Sequence, residues 1–171
     1  IAARVQFENQ LHALKHAAAE ERVAERSLRR MIKELNTEID KAQAKATELA
    51  KQNEPFFRKI SQIAESVKGL GILTVLIVVS ETNGFEEFTS IKQLVSYAGY
   101  DVVENSSGKF TGKTKISKQG NARIRAALHM PSLSMIGRKV EPFYSLYLRL
   151  VIRTGGIKMK AVVAIQRKLL V

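Results

Sequence analysis

Between positions 105 and 125 the chain reads Asn-Ser-Ser-Gly-Lys-Phe-Thr-Gly-Lys-Thr-Lys-Ile-Ser-Lys-Gln-Gly-Asn-Ala-Arg-Ile-Arg. Six basic residues (Lys109, Lys113, Lys115, Lys118, Arg123 and Arg125) stand there without one acid. Four hydroxyl residues precede Ser117, and Gly108, Gly112 and Gly120 are set among them. Such a mixture suits phosphate. Glycine lets backbone N–H groups approach closely, hydroxyls donate, and ammonium and guanidinium groups supply charge. It is not a P-loop, because Gly108 and Gly112 are too close for Gly-x4-Gly-Lys-Ser/Thr. The absence of Cys excludes a thiol nucleophile, a thiolate metal site and a disulfide scaffold. His129 follows the basic stretch and reads as a packing or capping residue.

The rest of the chain must position that stretch. Its 171 residues carry a net charge of +12, unevenly placed. Residues 1–68 hold 13 basic and 10 acidic side chains; residues 69–171 hold 15 and 6. A net of +9 on the second part points to a polyanion, since phosphate contacts dominate nucleic-acid affinity. The chain starts at Ile1 and its beginning is not signal-like, so it reads as a piece of a longer protein. No apolar run reaches the roughly 18 residues of a membrane span. The longest, Ile72 to Val79, has eight and is read as a buried helix.

From Arg4 to Asn53 there is no Pro or Gly, and good helix formers dominate. A seven-residue register runs through Phe7, Leu14, Glu21, Leu28, Leu35, Ala42 and Leu49, with Leu11, Ala18, Glu25, Ile32, Ile39 and Ala46 as its second row. Ile at a and Leu at d predict one long helix pairing in a parallel two-stranded coiled coil, with a possible bend at Glu21 and Glu25. Pro55 marks an interruption, followed by a shorter helix over about residues 56–67. Gly69-Leu70-Gly71 resembles the turn of helix-hairpin-helix DNA-binding elements, where amides at a helix start face a phosphate. Ser90 is a fitting N-cap for a helix from Ile91, which Gly99 ends. A further helix begins after Asn121, Pro131 interrupts it, and another starts at Pro142-Phe143. After Gly155-Gly156, the last helix carries Lys158, Lys160, Arg167 and Lys168 as a second phosphate-facing surface. The fold class is therefore all-α: residues 1–54 a dimerising coiled-coil helix, and residues 55–171 a helical domain.

The order of these motifs is itself distinctive. Gly69-x-Gly71 is followed by Phe88-x-Ser90, Tyr97-Ala98-Gly99, Ser107-Gly108 and Ile116-Ser117-Lys118-x-Gly120-Asn121-x3-Arg125. Tyr147-x-Arg149-Leu150, Gly156-x-Lys158-x-Lys160-Ala161 and Arg167-Lys168-Leu169-Leu170 close the series. Over about residues 63–170 this resembles the Piv-type DNA invertases and the bridge-RNA-guided recombinases of insertion sequences.

That resemblance implies a particular chemistry. Family members join a RuvC-like domain bearing a DEDD set of metal-binding acids to a helical linker and a transposase domain. A serine of the latter attacks a DNA phosphate and forms a phosphoserine intermediate. Ser107 matches that serine, with Ser106 as the neighbouring alternative. Nothing in residues 1–68 matches the RuvC-like domain, so Mg2+ and the group activating the serine are expected on a part of the parent outside this chain. Beside what the resemblance implies, the residue types themselves offer Gly69, Gly71, Gly108, Lys109, Lys113, Lys115, Lys118, Asn121, Arg123, Arg125, Lys158, Lys160, Arg167 and Lys168 as nucleic-acid contacts. Implied partners are DNA, a guide RNA and a second copy of the chain, in the prokaryotic cytoplasm at the nucleoid. One departure is visible: Tyr100-Asp101-Val102-Val103 lacks the proline that the family places soon after its Tyr-Ala-Gly. The competing reading is a non-catalytic nucleic-acid-binding and dimerisation module.

Overall fold

The computed structural model describes residues 1–15, 22–104, 106–107, 110–112 and 114–171. Eight α-helices account for most of the described residues, and the chain divides into two compact units, Ile1–Glu54 and Pro55–Val171.

The first unit holds α1 (Ala2–Lys15) and α2 (Arg22–Gln52). The single long helix expected over this segment is thus two helices. They run antiparallel: Arg4 Nη1 donates to Asn36 Oδ1 at 3.4 Å, while Ala13 and Leu14 face Ala24 and Leu28. The physical reason lies in the seam. Glu21 and Glu25 remove apolar contact for one heptad, and past that point α1 supplies α2 with an apolar partner from the same chain. Glu25 is accommodated because its carboxylate accepts from Arg29 Nε and Nη2, at 2.8 and 2.6 Å, one turn on. Ala18 and Glu21 of the register lie outside the described residues.

α3 (Glu54–Ser66), all but its first residue in the second unit, carries Pro55 in its first turn without harm, since proline suits that position. α4 (Ile72–Glu81) is a helix despite its β-branched run. Val75, Leu76, Val78 and Val79 are buried on several sides, and burial overrides local preference. A single 3-10 turn, Asn83–Phe85, leads to α5 (Ile91–Tyr97), where Ser90 caps the helix by accepting from Gln93 N at 3.3 Å.

α6 (Ala122–Gly137) runs straight through Pro131, contrary to the expected interruption. Proline removes only one helical donor, and its ring is fully packed in the interior. α7 (Phe143–Arg153) and α8 (Lys158–Leu170) complete the unit. One core cluster joins Val78, Leu94, Tyr100, Ile124, Leu128 and Leu170; a second joins Met135, Phe143 and Ile165. No described helix is long and apolar enough to cross a membrane.

The basic stretch is not a bare loop. β1 (Val102–Val103) pairs antiparallel with β4 (Lys115–Ile116), and β2 (Ser106–Ser107) with β3 (Phe110–Thr111). We call these two short sheets the arm, β1 its incoming leg and β4 its outgoing leg.

Candidate nucleic-acid interface

The root of the arm is unusually tight. Ser117 N donates to Asp101 O at 2.7 Å, Lys118 N to Gly99 O at 3.1 Å, and Asn121 N to Tyr97 O at 2.7 Å. Gly99 takes φ +72° and Gly120 φ +146°, conformations that side chains disfavour. The two glycines also lie back to back: a Cβ on Gly120 would stand 2.8 Å from Gly99 N. Lys118 itself has φ +56°.

Around this root the polar side chains are mutually satisfied. Asn121 caps α6, accepting from Arg123 N at 2.9 Å and Ile124 N at 3.2 Å. Its Nδ2 donates to Glu81 Oε2 at 2.7 Å, and Arg123 Nη1 donates to Glu81 Oε1 at 3.0 Å. Tyr97 OH donates to the Glu81 carbonyl at 2.9 Å and packs edge-on against Phe88, centroids 5.2 Å apart. Beneath, Tyr100 OH donates to Gln166 Oε1 at 3.0 Å, and Gln166 Nε2 meets His129 Nδ1 at 2.9 Å. Burial pushes the Tyr100 phenol above its ordinary pKa, so it stays a neutral donor. His129 therefore has a packing role, as its position suggested.

From this root the legs extend to Ser107, which pairs with Phe110 and is exposed. Ser107 is five positions after Val102, at most about 17 Å of extended chain. The segment holding the hairpin, the root and the arm lies inside residues 61–148, which match the model of the transposase IS116/IS110/IS902 family over more than half of the chain. The chain belongs to that family. Its function is transposase-related, and no curated protein matches it.

In this transposase chain the expected phosphate contacts fall into distinct groups. Gly108, Lys109 and Lys113 lie outside the described residues. Lys115 and Lys118 are exposed on the outgoing leg and its root. Arg123 and Asn121 are engaged with Glu81, and half-buried Arg125 with backbone carbonyls at the root. Lys158, Lys160, Arg167 and Lys168 are all exposed on α8, whose buried residues include Ala161 and Ile165. Arg167 also lines a shallow groove with Lys92, Ser96, Asp101 and Val102, beside the incoming leg. Gly69, with φ +100°, shapes the turn between α3 and α4, whereas Gly71 caps α4 at φ −87° with open space around it.

Sequence reasoning missed Glu81. Its only signal is to be the one acid between Gly69 and Phe85, at the end of an apolar run. The Asn121 hydrogen bond, then the Arg123 hydrogen bond and charge, hold its carboxyl below the usual carboxylate value of 4.5. A lowered folded-state pKa means stability that is present above the unfolded value and lost as pH falls through the folded one. Glu81→Gln should therefore lower the melting temperature at neutral pH, and that deficit should shrink in melts carried progressively below pH 4.5. A deficit constant across this range would mean that the charge contributes nothing.

Proposed function

We propose that this chain is the strand-transferring part of a DNA transposase, with Ser107 as its nucleophile. The observation that carries the reading is the placement of Ser107: exposed, at the last pair of an arm whose root is over-determined by hydrogen bonds and glycine packing. Membership in a transposase family supports it. Ser107 Oγ bonds to the phosphorus of a DNA phosphodiester as the bond from phosphorus to the bridging sugar oxygen breaks. The serine proton ends on the departing sugar hydroxyl. A hydroxyl of a second strand then reverses the step, joining the strands and restoring Ser107. Neither water nor an oxidant is consumed, and the bond energy is retained.

A serine hydroxyl needs help to react at neutral pH. Among the described residues no three His, Asp or Glu side chains gather into a metal-binding cluster. In this reading the group that takes the proton belongs to the acid-bearing domain of the parent. Lys115 and Lys118 neutralise charge near the attacked phosphate, and Lys158, Lys160, Arg167 and Lys168 contact the duplex backbone further off. Beyond Asn36, which sits opposite Arg4 at the start of α1, α2 leaves Ala42 and Leu49 exposed on its apolar row, a surface suited to a second copy.

The direct test is to denature a reaction of the intact transposase with its element-end DNA and digest the covalent product. The expected result is a nucleotide remnant on the peptide bearing Ser107. A remnant on another residue, or no adduct when strand exchange proceeds, overturns the assignment.

A further inference from the structure

Arg125 stands in the basic stretch and reads, by residue type, as a phosphate contact. Its surroundings give it other work. Nη1 donates to Ala98 O at 2.8 Å and Nη2 to Lys118 O at 3.3 Å. Ala98 lies at the root of the incoming leg and Lys118 at the root of the outgoing one, so one planar fork joins both. The bridge sits level with the backbone bonds from Lys118 N to Gly99 O and from Asn121 N to Tyr97 O. Gly99 leaves the space that the guanidinium fills: a Cβ there would stand 2.6 Å from Arg125 Nη1. Arg125 is half-buried and Ala98 has no exposed surface, unlike Arg123, whose side chain is 80 % exposed.

We propose that Arg125 is a positioning residue, a strut that fixes the two legs of the arm at their root and so sets where Ser107 is held, rather than a contact to DNA. The catalytic half of this statement rests on the Ser107 reading; the strut itself does not. A lysine cannot replace it, because an ammonium offers one point of attachment where two carbonyls face a fork. Each of the two sheets beyond the root has only two strands, so a small tilt at the root shifts the residues that follow it. Misplacement of about 1 Å can cost on the order of 10²-fold in rate.

The test uses the intact transposase with Arg125→Ala and Arg125→Lys. Amide hydrogen exchange is followed at Ser117, Lys118 and Asn121, whose N–H groups close the root. Both variants should speed exchange there by about tenfold or more, while amides in α7 and α8 keep their protection. Adduct formation should fall by about ten- to a hundredfold. The salt dependence of binding to random-sequence duplex DNA should be unchanged, because no phosphate contact is lost. Root amides protected as in the parent, or a salt slope about 0.9 smaller in Arg125→Ala, would overturn the proposal. Arg125→Lys keeps length and charge, so it carries the test if Arg125→Ala does not fold. Ser107→Ala is run alongside. An adduct surviving in Ser107→Ala sinks the nucleophile assignment, while the exchange data still decide the strut.

Discussion

Ser107→Ala is expected to abolish the covalent protein–DNA intermediate and to lower strand exchange by on the order of 10⁴-fold or more, because the bond-forming atom itself is removed. Duplex affinity should stay within about twofold of the parent, since a neutral hydroxyl releases no counterions on binding. Stability should change little: Ser107 is exposed, and surface changes of this kind fall within about 0.5 kcal/mol. That combination separates the nucleophile from a merely contacting residue, which would lose affinity and rate together. Ser106→Ala is the matched control and should retain the adduct. If Ser106→Ala loses it and Ser107→Ala keeps it, the nucleophile moves by one residue along β2. If neither change affects strand exchange, the non-catalytic binding module becomes the better account.

Gly120→Ala should cost more stability than a methyl added at Gly69, Gly71, Gly84, Gly137, Gly155 or Gly156. The new Cβ would stand 2.4 Å from Tyr97 O and 2.8 Å from Gly99 N. Both are backbone atoms that cannot swing aside, and Tyr97 O already accepts from Asn121 N at 2.7 Å. The φ of +146° adds strain of roughly 1–3 kcal/mol. A total of about 3–5 kcal/mol follows, in the range reserved for broken cores and strained backbone. For a unit of this size it should lower the melting temperature by on the order of 10 °C. Gly71→Ala is the contrast, because it adds a methyl at φ −87° into open space. It should be neutral or slightly stabilising, by about 0.4–1 kcal/mol through the unfolded chain. Equal melting temperatures for the two variants would show that the close packing at the arm's root is not what holds it.

Much of the helical framework can be read from residue order. Ser90 and Asn121 sit where capping side chains belong, and both accept the expected amides. The burial of Ile72–Val79 favoured a helix over a strand because no alternating partner exists nearby. Other features depend on partners distant in sequence, and local pattern does not contain them. The heptad rows show that α2 needs an apolar neighbour but not that α1 folds back to supply it; the Glu21 and Glu25 break marks only where a change occurs. Pro131 reads as a helix breaker, yet the packing around α6 outweighs one missing donor. Among the candidate site residues, charge identified the stretch but not its division of labour. Arg123 and Arg125 have the same side chain two positions apart, and one meets a carboxylate 42 residues earlier while the other meets two carbonyls. Gly120 reads as a turn glycine, and the need for it comes from Tyr97 and Gly99 pressing against it.

The family match stops at residue 148, but the arm's support does not. Tyr100, the residue just inside the incoming leg, donates a hydrogen bond to Gln166 Oε1, and Leu170 belongs to the cluster that contains Leu94 and Leu128. Of all the described elements α8 is the last to be synthesised. A nascent chain on the ribosome therefore has its arm translated well before the arm has anything firm to stand on. Until Gln166 emerges, Tyr100 is a polar group without a seat, and until Leu170 emerges the cluster beside it lacks one wall. A chain ending at residue 148 would lack both Gln166 beneath Tyr100 and Leu170 in the cluster beside it.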